Sequence, residues 1–146
     1  MLIGNLPTRI DDKGRLKIPS QFRRFIDDSY GRELFVTSLT GKSVRIYPFP
    51  LWLETEKRVA EIPTMNPIVY KFLKAVSYFG QVTSMDGQGR VLISSHLRKS
   101  AEITGDVAVL GHQRFLEVWN GKNFLESLEN NPITDQDLFA LSNLGV

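Results

Sequence analysis

Polar and apolar positions alternate, switch to helical spacing, and then repeat both patterns in the same order later in the chain. Asn5 to Ile10 is short and extended, and Pro7 predicts an edge position because it cannot donate to a neighbouring strand. Arg15 to Ile18 puts Leu16 and Ile18 on one side and Arg15 and Lys17 on the other, the alternation of a half-buried strand. Between them, Asp11-Asp12-Lys13-Gly14 is turn chemistry: Asp tolerates unusual backbone angles and Gly14 permits positive φ. The first charged pair therefore sits at a hairpin tip that faces solvent. After Pro19, Ser20 is expected to cap a short helix whose Phe22, Phe25 and Ile26 share one stripe, with Arg23 and Arg24 off it.

Glu33–Leu39 and Ser43–Tyr47 read as strands joined at Thr40-Gly41-Lys42. Leu51–Ile62 reads as a helix with Trp52, Thr55, Val59 and Ile62 along one face, ended by Pro63. Asn66-Pro67 restarts a helix that carries Ile68, Phe72, Val76 and Phe79. The second half repeats the order. It has extended Gln81–Met85, a turn at Gly87-Gln88-Gly89-Arg90, strand Val91–Ile93 and a helix over His96–Ala101. Strands Val107–Leu110 and Phe115–Trp119 follow, then helices over Asn123–Glu129 and after Thr134, whose Asp137 completes a capping box. Each half is β-β-α-β-β-α-α.

The repeat is visible in the residues themselves. Asp11-Asp12-Lys13-Gly14-Arg15-Leu16-Lys17-Ile18 returns as Asp86-Gly87-Gln88-Gly89-Arg90-Val91-Leu92-Ile93, an offset of 75 from Asp11 to Asp86. Thr8/Thr83, Ile10/Met85, Phe22/Leu97, Arg23/Arg98 and Arg24/Lys99 keep that offset. After a small deletion, Trp119 answers Tyr47 and Phe124 answers Trp52. Two copies are too few for a solenoid, which needs three or more stacked units. The pattern predicts one folding unit duplicated and packed on its copy.

Composition narrows the classes. With 146 residues and 42% hydrophobic content the chain can bury a core. It has no cysteine, so disulfides and thiolate metal sites are excluded. No signal peptide or bilayer-length apolar run stands in the sequence, which predicts a cytoplasmic protein with no membrane partner. The net charge of +2 hides an asymmetry: all 18 Lys and Arg lie at or before Lys122, and the four acids after it stand alone. Arg9 to Arg24 is the densest basic segment, and it suggests a polyanionic partner.

Candidate chemistry centres on the tips. An Arg fork at Arg15 can bond guanine O6 and N7 together, whereas Lys13, a point charge, suits phosphate. The alternative is that Asp11 pairs with Arg15 and only stiffens the turn. Enzyme chemistry is not expected. Gly87-Gln88-Gly89-Arg90-Val91-Leu92 begins like a dinucleotide loop but has Leu at the last glycine position. Ser94, Ser95 and His96 are sequence neighbours that seldom face one another. Two histidines make no metal cluster. No cofactor and no small-molecule ligand is expected, and Trp52 and Trp119 read as core aromatics.

The duplicated Asp-x-x-Gly-Arg turn followed by strand and helix resembles the SpoVT-AbrB family of swapped-hairpin DNA-binding modules. Two such modules, with Met65-Asn66-Pro67 between them and the Tyr47-Pro48-x-Pro50-x-Trp52 segment, resemble the MraZ family over nearly the whole chain. The resemblance implies an α+β fold of two tandem, pseudo-two-fold-related swapped-hairpin β-barrel halves with peripheral helices, divided as 1–79 and 80–146. It implies a nucleoid-associated transcriptional regulator of a bacterial division and cell-wall gene cluster. Such a regulator would bind double-stranded DNA as a ring-like homo-oligomer and read short repeated operator motifs. The family's DNA contacts carry over to Lys13, Gly14 and Arg15, and by the internal repeat to Gln88, Gly89 and Arg90, with Arg9 and Lys17 as flanking cations. An oligomeric scaffold for a protein partner and an antitoxin-like module are the competing readings.

Overall fold

The computed structural model describes residues 1–63 and 65–146. In chain order the elements are β1 (Leu2–Ile10), β2 (Arg15–Lys17), α1 (Ser20–Tyr30), β3 (Glu33–Thr37), β4 (Val44–Pro48), α2 (Phe49–Ala60) and α3 (Pro67–Phe79). The second half supplies β5 (Gln81–Ser84), β6 (Arg90–Leu92), α4 (Ser95–Ala101), β7 (Gly105–Gln113), β8 (Leu116–Asn120), α5 (Gly121–Asn130) and α6 (Asp135–Asn143). The fold is α+β, and the two halves share one element order.

All eight strands join one antiparallel sheet in the order β5-β3-β4-β8-β7-β1-β2-β6, curled into a nearly closed barrel. The partners are exchanged between halves. β1 lies along β7 over its whole length, and β5 pairs with β3. Two ladders cross the centre. In one, Leu16 faces Val91, flanked by Arg15 opposite Leu92 and Lys17 opposite Arg90. In the other, Arg45 faces Glu117, flanked by Val44 opposite Val118 and Ile46 opposite Leu116. Both ladders map onto themselves when the halves are exchanged, so the pseudo-dyad passes through Leu16–Val91 and Arg45–Glu117. Thr8 faces Val107 as Thr83 faces Leu34.

One core serves both halves. Leu16, Ile18, Phe22 and Ile26 from the first are buried with Val91, Ile93, Leu97 and Ala101, their repeat mates. Each fully buried Leu, Ile or Phe contributes roughly 1.5–3 kcal/mol. The halves therefore interlock instead of touching through a polar seam. A smaller aromatic cluster joins Tyr47, Trp52 and Val76. The Tyr47–Trp52 ring pair at 5.0 Å is repeated by Trp119–Phe124 at 5.6 Å, but Trp119 is only half-buried and does not join a core cluster as Trp52 does.

Three local expectations change. Pro7 does not mark an edge strand in the sheet order, because β1 stands between β7 and β2. β2, however, meets β1 only at Ile10 opposite Leu16, so one flank of β1 around Pro7 has no ladder partner. Ser20 does not cap α1. It is the first helical residue, and Pro19 occupies the cap position with no side-chain hydrogen bond. Ile62 does not join the buried face of α2, which ends at Ala60 and buries Leu51 and Trp52. The Asn66 cap and the Thr134–Asp137 capping box form as expected.

Candidate nucleic-acid interface

Each Asp-x-x-Gly-Arg turn is built by its carboxylate. Asp11 Oδ1 accepts from the backbone N–H of Lys13 (3.0 Å) and of Arg15 (2.8 Å), and Oδ2 accepts from Arg15 Nε at 2.8 Å. Asp86 repeats this with Gln88 N–H, Arg90 N–H and Arg90 Nε. The backbone closes under the carboxylate, with Gly14 N–H bonded to Asp11 O and Gly89 N–H to Asp86 O. Gly14 (φ 86°) and Gly89 (φ 74°) hold backbone conformations that side chains disfavour. The Arg15 amide, aided by its guanidinium, holds the Asp11 carboxyl below its ordinary value, and Arg90 does the same for Asp86. The alternative reading of the pair is thus correct as geometry: Asp11 does stiffen its turn. Among the described residues, the bond uses only Nε and leaves the end-on pair of Nη groups of Arg15 and Arg90 without a partner.

The turns are clasped crosswise. Ile18 N–H donates to Gly89 O and Ile93 N–H to Gly14 O, both at 2.9 Å. Arg23 lies across Gly89 and donates from Nη2 to Gly87 O at 3.0 Å. Arg98 lies across Gly14, where an added Cβ would come within 2.8 Å of its guanidinium, and donates from Nε to Ile93 O. Each half's helix therefore fixes the other half's turn. These two arginines were missed as site residues, although the Arg23/Arg98 match in the repeat is the signal that marks them.

Between the turns, β2 and β6 form a two-stranded ribbon. Leu16 and Val91 point into the core at 0% exposure, so Arg15, Lys17, Arg90 and Leu92 share the outer face. The structure brings together Lys13, Gly14, Arg15 and Lys17 with Gln88, Gly89 and Arg90. Lys13 and Gln88 are exposed at the tips, and Lys17 stands opposite Arg90. Arg9 lies beside the first turn but pairs with Asp106 at 3.3 Å, both widely exposed. Leu92 completes this face and was not expected in it.

Away from the ribbon, the dyad's other end carries Glu117 opposite Arg45. Burial pushes the Glu117 carboxyl up. Trp119 at longer range, Ser43 Oγ (2.8 Å) and His112 Nε2 (3.1 Å) outweigh burial and leave it below its ordinary value. No group of acidic or histidine side chains among the described residues is placed to hold a metal.

Exchanged strands, a crosswise clasp and two equivalent Arg-bearing turns define the class: a swapped-hairpin barrel with both modules in one chain. A family model described as "MraZ protein, putative antitoxin-like" matches residues 81–138. The chain is 50% identical over 146 residues, the full length of both chains, to the Transcriptional regulator MraZ of Acidobacterium capsulatum. It is 47% identical, again over the full length of both, to that of Koribacter versatilis. It is 33% identical to that of Chromobacterium violaceum over 79% of this chain and 78% of the relative. The chain belongs to the MraZ family.

Proposed function

We infer that this protein is a transcriptional regulator that binds duplex DNA through the outer face of its β2–β6 ribbon and the two turns beside it. The observation that carries the reading is the orientation of Arg15 and Arg90, each tethered through Nε with its terminal fork free. A major groove about 12 Å wide admits a two-stranded ribbon, and an Arg fork matches guanine O6 and N7. Lys13 and Lys17, with Arg9 at the margin, supply phosphate contacts at the first turn. Gln88 offers no charge where Lys13 does, so the second turn contributes less to affinity. Gly14 and Gly89 are buried beneath Arg98 and Arg23, so they shape the turns and leave contact with the duplex to the neighbouring side chains. The names of the full-length relatives support regulation of transcription and a role that is not enzymatic; a cytoplasmic, nucleoid-associated location is part of the proposal. The family resemblance extends the proposal to a division and cell-wall gene cluster. Residues 1–79 and 80–146 are the two modules.

The assembly we propose is a ring-like homo-oligomer. Two outward faces of opposite charge support it. α6 is exposed at every position but the half-buried Leu141, with Leu138 51% and Phe139 70% exposed, and every charged residue from Glu126 onward is acidic. A nine-residue helix is marginal in water by itself, so a partner surface is expected. α3 exposes Ile68, Tyr70 and Tyr78 with Lys71 and Lys74, and contains no acid. A head-to-tail α6–α3 contact uses different patches on each subunit, and such contacts close into rings when the rotation permits. The same faces favour the second reading, a scaffold for a protein partner.

The test is selection of bound duplexes from a randomised pool. A short motif recurring at fixed spacing is the expected outcome. Recovery of no common motif, with binding that tracks only salt, would remove the sequence-specific reading and leave the scaffold.

A further inference from the structure

We propose that Leu92 is a specificity-determining residue that meets the 5-methyl group of a thymine next to the guanine faced by Arg15. The inference rests on the DNA-binding reading above and adds a second kind of base contact to it. The ladder register sets Leu92 directly opposite Arg15. The bonds from Ile18 N–H to Gly89 O and from Ile93 N–H to Gly14 O fix the phase of that ladder. Gly14/Ile93, Leu16/Val91 and Ile18/Gly89 are then the hydrogen-bonded pairs. Arg15/Leu92 and Lys17/Arg90 are the intervening pairs, in which side chains approach most closely.

The outer face of the ribbon therefore holds three cationic side chains and one leucine, 46% exposed. The pseudo-dyad relates Leu92 to Lys17, so the backbone tolerates a cation at this position, yet an apolar group stands there. A surface that meets a polyanion gains nothing from an exposed leucine unless the partner offers apolar area at the same spot. In the major groove the thymine methyl is that area. Cβ atoms of such a cross-strand pair lie roughly 4.5–5.5 Å apart, and successive bases about 3.4 Å. With the Arg15 fork on a guanine, Leu92 falls over the adjacent base pair. The Asp11 bond to Arg15 Nε keeps the fork pointed outward, so the two contacts stay in fixed relation.

The experiment uses the full chain and the duplex that it selects from a randomised pool. Each thymine of that duplex is replaced singly by deoxyuridine, which lacks only the methyl group. At one thymine the parent protein should lose about fourfold in affinity, the worth of one buried methyl-sized group. Leu92→Ala and Leu92→Lys should bind the thymine and deoxyuridine duplexes alike at that position. That thymine should adjoin the guanine to which Arg15→Ala becomes indifferent. The inference is overturned if no thymine methyl matters, or if Leu92→Ala keeps the parent's thymine-to-deoxyuridine ratio at every position. If the parent selects no sequence at all, the DNA-binding reading fails first and this inference with it. Leu92→Lys separates base reading from charge, because it should raise affinity for scrambled duplex while losing the methyl preference.

Discussion

Asp11 and Asp86 show how a single carboxylate can do two things that the sequence presents as alternatives. By bonding two backbone amides and one Nε, Asp11 closes the turn and also aims the guanidinium outward. Both are legible as turn-formers, and the Arg15 pairing as a stiffener; that the pair leaves the Nη fork free among the described residues is visible only in the fold. The reach of Arg23 and Arg98 into the opposite turn was not legible. A repeat marks equivalent positions, but it does not say which copy a side chain contacts. Lys13, which lacks a side-chain partner among the described residues, should act as a plain phosphate contact. Lys13→Ala is expected to weaken binding to all duplexes alike and to reduce the log–log salt slope by about 0.9. Titrations at several salt concentrations check this, and an unchanged slope counts against it. The acid side is also testable. Asp11 and Asp86 are held below the ordinary value of 3.8, first by the amides of Arg15 and Arg90, so the stability they add is complete above that value and lost as pH falls through their native values. The double variant Asp11→Asn/Asp86→Asn should therefore show a shallower fall in melting temperature between about pH 4 and pH 2 than the parent.

Among the elements, helices were read more accurately than strand partners. Residue spacing shows that Leu16 and Ile18 face inward but not which strand lies beside them. Exchange between halves is implied by the family resemblance and not by periodicity, and the particular pairings of β2 with β6 and of β1 with β7 come from the structure alone. The cap of α1 was misplaced for a local reason. Pro19 fixes its own φ and can stand at a helix entry, which puts Ser20 inside the first turn. Because β2 and β6 have three residues each, their ladder depends on what lies beneath them. Leu16→Ala removes a side chain with no exposure at the pseudo-dyad, and it should destabilise the fold by about 2–5 kcal/mol. Since the core is shared, denaturant unfolding should remain one transition for both halves. A variant in which the halves melt separately would show that the clasp does not couple them. At the other end of the chain, removal of residues 132–146 deletes α6. Light scattering should then find smaller particles than for the parent at the same micromolar concentration, and an unchanged mass would remove α6 from the assembly contact.

For the whole molecule, the pseudo-dyad decides what can be presented to a partner. It places the two turns at the ends of one ribbon and gives their arginines the same tether, while Gln88 and Leu92 break the chemical equivalence with Lys13 and Lys17. A single ribbon carries few cations for tight binding to a duplex, so several linked ribbons would raise affinity through effective concentration. Sequence-specific binding by the ribbon depends on the directed contact from Arg15. Equilibrium binding of the parent and of Arg15→Ala should be measured against the selected duplex, its single-base variants and a scrambled duplex, with folding confirmed by the melting transition. The variant is expected to lose roughly 1–3 kcal/mol on the selected duplex and to become indifferent to the base at one position, with little change on scrambled duplex. A folded Arg15→Ala protein that binds the selected duplex as the parent does, with the same preference at every base, would contradict it.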